Sequence, residues 1–147
     1  MLTDTSKVPC SGQTRWSHHP GKRHTILKRC YPDPESSFDC FELSKTFHGD
    51  LQGTGAGVML SGGDPQAGAA GYVAIETVDG SLGGRQGSFA LQQFGSLHCG
   101  SLHCGSQTLH YEVVPGSGSG QLDGLTGILH LNIDEDGTHR YELEYEL

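Results

Sequence analysis

Glu76 has the strongest potential for chemistry, because it is a carboxylate within the otherwise apolar segment YVAIETV. A carboxylate that points into a low-dielectric interior can take part in proton transfer, which makes Glu76 the candidate catalytic residue. The alternative is that Glu76 faces solvent or pairs with Arg85 or another cation across a sheet. Alternation places Glu76 on the same strand face as Tyr72, Ala74 and Val78, and either that face or the opposite one could be the interior.

Four further polar residues could line a cavity together with Glu76, and the five form the predicted ligand-binding set. The four are Tyr72, Gln92, His110 and Tyr141. Each such residue is more often explained by hydrogen bonds that satisfy its polar atoms within the fold. The sequence alone does not separate a binding role from this structural one.

A tandem repeat, GSLHC-GSLHC over Gly95–Cys104, brings two His-Cys pairs within ten residues. His98, Cys99, His103 and Cys104 are each suitable zinc ligands. Adjacent residues of an extended chain point to opposite sides, so one tetrahedral site would require a sharp loop. A duplication that lengthens a hairpin loop is the simpler explanation, since loops tolerate insertions at low cost. We therefore predict no metal site.

The glycine-rich segment PGSGSG lies within the stretch Val113–Gly127. No Lys-Ser or Lys-Thr pair and no helical pattern follow it, so the basis of a phosphate-binding loop is missing. Ser117 and Ser119 have no visible base that could activate them. We interpret the whole stretch as a hairpin connector.

From Ser36 onwards, apolar residues recur at every second position and glycines interrupt the runs, which is typical of strands with one buried face. The last segment is the clearest, because Tyr141, Leu143 and Tyr145 share one face while glutamates occupy the other. The pattern predicts seven strands, at Phe38–His48, Gln52–Leu60, Gly71–Val78, Gln86–Phe94, Gln107–Val114, Gly127–Asp134 and Thr138–Leu147.

Seven consecutive antiparallel strands laid flat would expose two edges, and closing the sheet on itself removes both. Glycine alternations such as Gly53/Gly55/Gly57 permit the bends that a curved sheet requires. The sequence therefore predicts an all-β fold, a single antiparallel up-and-down β-barrel of about seven to eight strands.

Several segments, in order and spacing, resemble a bacterial family of small uncharacterised proteins, domain of unknown function 3224. They are KTFHGDLQGTG, GGRQGSFALQQFG within Tyr72–Gly95, VVPGSGSGQLDGLTG and the closing HRYELEYEL, and they extend over roughly Phe41–Leu147. The resemblance implies a barrel of the allene oxide cyclase type, similar in architecture to lipocalins. It also implies that a glutamate is common among relatives at the position of Glu76.

Residues 1–35 depart from the family pattern and contain six of the nine basic residues. The resemblance implies an opening strand that ends near a tryptophan, and here Trp16 is a weak counterpart in a basic, poorly alternating segment. We expect residues 1–35 to be a poorly ordered leader ahead of a barrel domain over residues 36–147, with contact to an anionic partner as the alternative. A missing first strand would leave a seam between the second and last strands.

Length and charge restrict the remaining function classes. The 147 residues fit one domain, and its net charge of −8 disfavours binding to nucleic acid. Because no apolar run approaches the roughly 20 residues of a membrane span and no secretory signal is recognisable, we expect a soluble cytoplasmic protein without a membrane partner. Five cysteines without a C-x-x-C pair favour reduced thiols. No motif indicates a cofactor.

Three functions are compatible with such a barrel. The first is binding of a small apolar ligand in the interior. The second, implied by the resemblance to allene oxide cyclase, is an isomerase or cyclase that uses Glu76 in an apolar pocket. The third is a filled barrel that acts through its surface or as a homo-oligomer. A roomy interior with a buried carboxylate would favour the first two.

Overall fold

The structure is a computed structural model that describes residues 8–18, 38–64, 66–99, 104–133, 135 and 138–147. These residues form nine β-strands and no helix. The strands are β1 Val8–His18, β2 Asp39–Gly49, β3 Leu51–Asp64, β4 Ala69–Leu82, β5 Arg85–Cys99, β6 Cys104–Val113, β7 Ser119–Gly120, β8 Thr126–Ile133 and β9 His139–Glu146.

One antiparallel sheet curls into a barrel whose strand order follows the chain. Each long strand pairs with the next one, from β1 through β6 and then to β8 and β9, and β9 pairs back with β1. The joint between β6 and β8 is a single bridge pair, Glu112 with Ile128, so the barrel wall is thin there. The predicted all-β, up-and-down barrel of seven to eight strands is confirmed.

The seven predicted strands correspond to β2–β6, β8 and β9, and most of the observed strands are longer. Strand β5, for example, runs to Cys99, whereas the prediction ended at Phe94. The turn from β4 to β5 consists of Gly83 and Gly84, both with positive φ, at +56° and +82°. This is the backbone conformation of the tight two-residue hairpin turns that match strand twist.

The interior is divided into a filled end and an open end. At the filled end the inward side chains of β2–β6, β8 and β9 pack into a dry core that includes Phe47, Val78, Phe89 and Leu143. Toward the other end the inward residues Phe41 and Met59 are only partly buried, and Leu109 is 37% exposed. The barrel is therefore a cup, closed by its own core at one end.

The segment between β6 and β8 closes the filled end. Leu122 and Leu125 from this segment are completely buried within the core. Ser117 fixes its fold, since the Ser117 hydroxyl donates to the carbonyl of Val114 at 2.6 Å and accepts from the amide of Ala90 at 3.0 Å. A side chain at Gly118 would collide with the Leu122 carbonyl at 1.9 Å, so the glycine there is obligatory. The predicted connector does join neighbouring strands, but it is also the plug of the barrel.

Strand β1 lies between β2 and β9, in register with both. Trp16 is opposite Lys45 of β2, and Gly12 is opposite both Gly49 and Tyr141. This strand occupies the position that the sequence left open as a seam, and it falls within the predicted leader. Residues 1–7 and 19–37 lie outside the described residues, so the division into a leader and a barrel domain stays a prediction. None of the described residues forms a helix that could cross a bilayer.

Candidate functional site

Three polar side chains meet in the middle of the barrel, where the dry core ends. The Lys45 ammonium donates to Glu76 Oε1 at 2.6 Å and to the Tyr111 hydroxyl at 2.8 Å. The Tyr111 hydroxyl donates to the same oxygen, Glu76 Oε1. Each of the three residues is only 2% exposed, so this cluster is a buried, hydrogen-bonded ion pair with a phenol as third member.

Strand alternation brings the three together. Lys45 follows the inward sequence Leu43, Lys45, Phe47 of β2, whereas Glu76 lies on β4 and Tyr111 on β6. Strand β3 separates β2 from β4, and Gly55 of β3 is the register partner of Lys45. Because a Cβ at Gly55 would lie 2.7 Å from Glu76 Oε2, the glycine leaves the room in which the carboxylate sits.

Burial shifts the pKa values of Lys45 and Tyr111 in opposite directions. Desolvation lowers the pKa of Lys45 below its ordinary 10.5, although the Glu76 carboxylate partly counteracts this. Desolvation raises the pKa of Tyr111 well above its ordinary 10.0, and the nearby Glu76 charge and hydrogen bond raise it further. Tyr111 is therefore a permanent hydrogen-bond donor to the carboxylate at physiological pH.

Two buried polar atoms beside this cluster have no hydrogen-bond partner among the described residues. They are Glu76 Oε2, an acceptor, and Gln93 Nε2, a donor. The side-chain oxygen of Gln93 accepts from the Tyr72 hydroxyl at 3.2 Å, which leaves its amide nitrogen free. Gln93 is the register partner of Ala74, two residues before Glu76 on the same inward face, so both atoms belong to neighbouring positions of one wall.

The structure divides the predicted site residues between the two faces of the sheet. Glu76 points into the interior, as the first expectation had it. It also pairs with a cation, as the alternative had it, but the cation is Lys45 and not Arg85. Tyr72 is also inward, and burial raises the pKa of its phenol. Tyr141 is inward but lies at the filled end, where its hydroxyl is 3.0 Å from the His48 carbonyl and accepts from the Leu51 amide at 3.3 Å.

Gln92 and His110 lie on the outer face, because they have the opposite strand parity to Leu91, Gln93 and Tyr111. The Gln92 amide donates to Glu112 at 2.8 Å, and His110 Nε2 is 3.4 Å from the same carboxylate. The hydrogen bonds from Gln92 and His110 lower the pKa of Glu112. Gln92 and His110 are thus not brought together with Glu76, and the binding role predicted for the five residues stays a prediction.

Sequence reasoning missed Lys45, Gln93 and Tyr111. Signals for two of them were present, because Lys45 alternates with Leu43 and Phe47, and Tyr111 alternates with Leu109 and Val113. A lysine at an inward position of a strand indicates a buried acidic partner, since an unpaired buried charge is too costly. The sequence offers Gln92 and Gln93 equally as interior residues. Choosing Gln93 requires knowing which face of β5 points into the barrel.

The outer face of β3–β5 carries a second notable feature, an exposed apolar block. It consists of Leu60, Val73, Ile75 and Phe94, which are 39–54% exposed and lie in adjacent register positions. The His110 ring stacks on Phe94 with 5.1 Å between ring centroids. This block lines a groove of about 440 Å³ that also includes Val58, Gln92 and Glu112.

The tandem repeat supplies no metal centre within the described part of the chain. His98 is exposed at the end of β5, and no group of three or more His, Cys, Asp or Glu residues suited to a metal occurs among the described residues. Residues 100–103 of the repeat lie outside that part, so the absence of a metal site there stays a prediction.

Comparison with known proteins agrees with the barrel and its sequence pattern. The family described as "Protein of unknown function (DUF3224)" matches residues 27–145, and the chain belongs to this family. A protein with unknown function from the DUF3224 family of Shewanella oneidensis MR-1, with a crystal structure at 1.84 Å resolution, is similar in fold, with a TM-score of 0.75 and 37% sequence identity. That similarity covers 95% of this chain and 96% of the other. A comparison with curated proteins gives no match.

Proposed function

We propose that the protein binds a small, largely apolar molecule in the open half of its barrel, above the Lys45–Glu76–Tyr111 cluster. The observation that carries this proposal is the pair of unpartnered buried atoms, Glu76 Oε2 and Gln93 Nε2. An unsatisfied buried polar group costs about 1–3 kcal/mol. A ligand that supplies hydrogen bonds to both atoms would recover that cost.

The surroundings of the two atoms support the same proposal. Phe41 and Met59 line the open half and are only partly buried, whereas inward residues of the filled end such as Leu51 and Leu143 are fully buried. Ligand sites in proteins are typically apolar concavities with a few polar groups that fix orientation. The open half of this barrel has that composition, with Glu76, Gln93 and Tyr72 as its polar groups.

Native mass spectrometry of the freshly purified protein tests the proposal. We expect a bound species in the wild-type protein that is lost in the Gln93→Leu variant. Gln92→Leu is the matched control, because it makes the same change one residue away on the outer face, and it should retain the bound species. A wild-type protein that carries no bound molecule, and whose Tm is unchanged by a panel of small apolar compounds, would overturn the proposal.

A second candidate function is proton transfer within a bound substrate. It is favoured by the different surroundings of the two Glu76 carboxylate oxygens. Lys45 and Tyr111 both hold Oε1, while Oε2 is free to accept a proton from one carbon and return it to another. Such an isomerisation balances without a cofactor. Its signature would be conversion of the bound molecule by the wild-type protein that is lost in the Glu76→Gln variant even at ligand concentrations that saturate the variant.

A further inference from the structure

We infer that the interior selects an uncharged ligand whose head group carries a hydrogen-bond donor and an acceptor on one carbon, as a carboxamide or lactam does. This inference depends on the proposed binding function and specifies its ligand class. It follows from the charge balance of the interior and from the chemical identity of its two unpartnered atoms.

The charge balance around the two unpartnered atoms argues against an ionic head group. Lys45 and Glu76 neutralise each other at 2.6 Å, and the described inward side chains beside this pair on β4 and β5, Tyr72, Ala74 and Gln93, carry no charge. A carboxylate or ammonium ligand would add an unpaired charge to this low-dielectric space. An unpaired charge in a protein interior is strongly unfavourable.

The unpartnered atoms define the head group. Glu76 Oε2 needs a donor, and Gln93 Nε2 needs an acceptor. The two residues are diagonal neighbours on β4 and β5, and such positions have Cα atoms about 7–8 Å apart, within reach of long side chains. An amide offers its N–H to the carboxylate and its carbonyl to the glutamine, and so satisfies both atoms with one planar group.

Three probes of equal chain length separate the possibilities at neutral pH: hexanamide, hexanoate and hexylamine. We expect the wild-type protein to bind hexanamide at least about tenfold more tightly than either ion, since tenfold corresponds to only about 1.4 kcal/mol of the charge penalty. Isothermal titration calorimetry measures the three affinities. Tighter binding of hexanoate or hexylamine than of hexanamide, or equal affinities for all three, would overturn the inference while leaving the binding function intact.

Single variants test whether Glu76 and Gln93 produce the preference for hexanamide. Glu76→Gln removes the carboxylate that offsets the Lys45 charge, so the preference of this variant should move from hexanamide toward hexanoate. Gln93→Leu keeps the ion pair and should lose the advantage of hexanamide over an apolar probe such as hexane, whereas Gln92→Leu should behave as wild type. Loss of all binding in the wild-type protein, in contrast, would count against the proposed function itself.

An independent observation, the outer apolar block, leads to a second proposal: we propose that this face contacts a second copy of the chain. Leu60, Val73, Ile75 and Phe94 are each about half exposed and together present on the order of 300 Å² of apolar surface. A standard interface buries about 800 Å² per partner, of which somewhat more than half is apolar. The block has the size of the apolar centre of such an interface.

The charge distribution supports a second copy of the chain as the partner that contacts the outer apolar block. The chain carries a net charge of −8, so two copies repel each other over most surfaces, whereas the centre of this block is uncharged. A two-fold interface needs only this one surface on each copy, and two-fold dimers are the commonest soluble oligomers. His110 and Glu112 lie 3.4 Å apart at the border of the block and would supply polar atoms to the rim of such an interface.

Sedimentation equilibrium of paired variants tests this assignment. We expect the wild-type protein to be dimeric at micromolar concentration and Ile75→Glu to be monomeric. Thr77→Glu places the same charge on the same outer face of β4, two residues beyond the block, and should remain dimeric. A monomeric wild-type protein, or an Ile75→Glu variant with unchanged mass, would overturn the proposal.

Discussion

Lys45 and Glu76 form an ion pair across an intervening strand. Their strands, β2 and β4, do not pair with each other, and β3 runs between them. The 2.6 Å contact between Nζ and Oε1 is made over Gly55, whose missing side chain leaves the inner surface of β3 low at that position. The polar centre of the barrel thus depends on one glycine and two charges drawn from three strands.

Removing only the cation should destabilise the fold strongly. We expect Lys45→Met to lower the free energy of unfolding by about 3–5 kcal/mol, because it leaves the Glu76 charge buried without a counter-charge. Urea denaturation followed by circular dichroism measures the change.

The double variant Lys45→Met/Glu76→Gln is the informative control for that loss. It removes both charges but keeps an acceptor for the Tyr111 hydroxyl, so most of the lost stability should return. A double variant as unstable as Lys45→Met would contradict this account. The lost stability would then come from the packing of the Lys45 aliphatic stem and not from the unpaired charge.

Gly55→Ala should displace the Glu76 carboxylate. The new Cβ would lie 2.7 Å from Glu76 Oε2 and 3.2 Å from the Phe47 ring, so the ion pair or the ring must shift. We expect a loss of about 1–3 kcal/mol of stability, typical of an overfilled interior. Gly71→Ala serves as control, because its Cβ would meet only the Gly95 carbonyl at an ordinary 3.6 Å. Equal effects of the two substitutions would show that the Gly55 position is not special.

Tyr111 should contribute stability that is lost at alkaline pH. Its pKa in the folded protein is raised well above the ordinary 10.0, so the folded state holds this proton more tightly than the unfolded state does. The contribution is complete below about pH 10 and falls as the pH rises toward the folded pKa.

The stability difference between wild type and Tyr111→Phe should therefore be constant from about pH 7 to 9 and shrink above about pH 10. At neutral pH we expect it to be about 1.5–3 kcal/mol, the value of a hydrogen bond to a charged group. Urea unfolding at a series of pH values measures it. A difference that stays constant up to about pH 11.5 would contradict the raised pKa.

Alternation predicted the barrel because most strands bury one face, yet it could not decide which face of β4 is inside. Val73 and Ile75 on the outer face are as apolar as Ala74 and Val78 on the inner one, and they remain about half exposed. The choice is made by contacts distant in sequence, such as Lys45 with Glu76. The sequence also did not predict the plug, because only the folded chain shows that Leu122 and Leu125 are fully buried.

Tyr141 belongs to the predicted ligand-binding set, but its contacts at the filled end indicate a structural role. Its hydroxyl lies between the His48 and Leu51 backbones at the turn from β2 to β3, and its ring packs edge-on against Phe47 with 5.8 Å between centroids. We expect Tyr141→Phe to lower the free energy of unfolding by about 1–2 kcal/mol, because buried backbone groups lose a partner. Hexanamide affinity should remain that of wild type. A loss of affinity as large as that of Gln93→Leu would instead place Tyr141 in the ligand site.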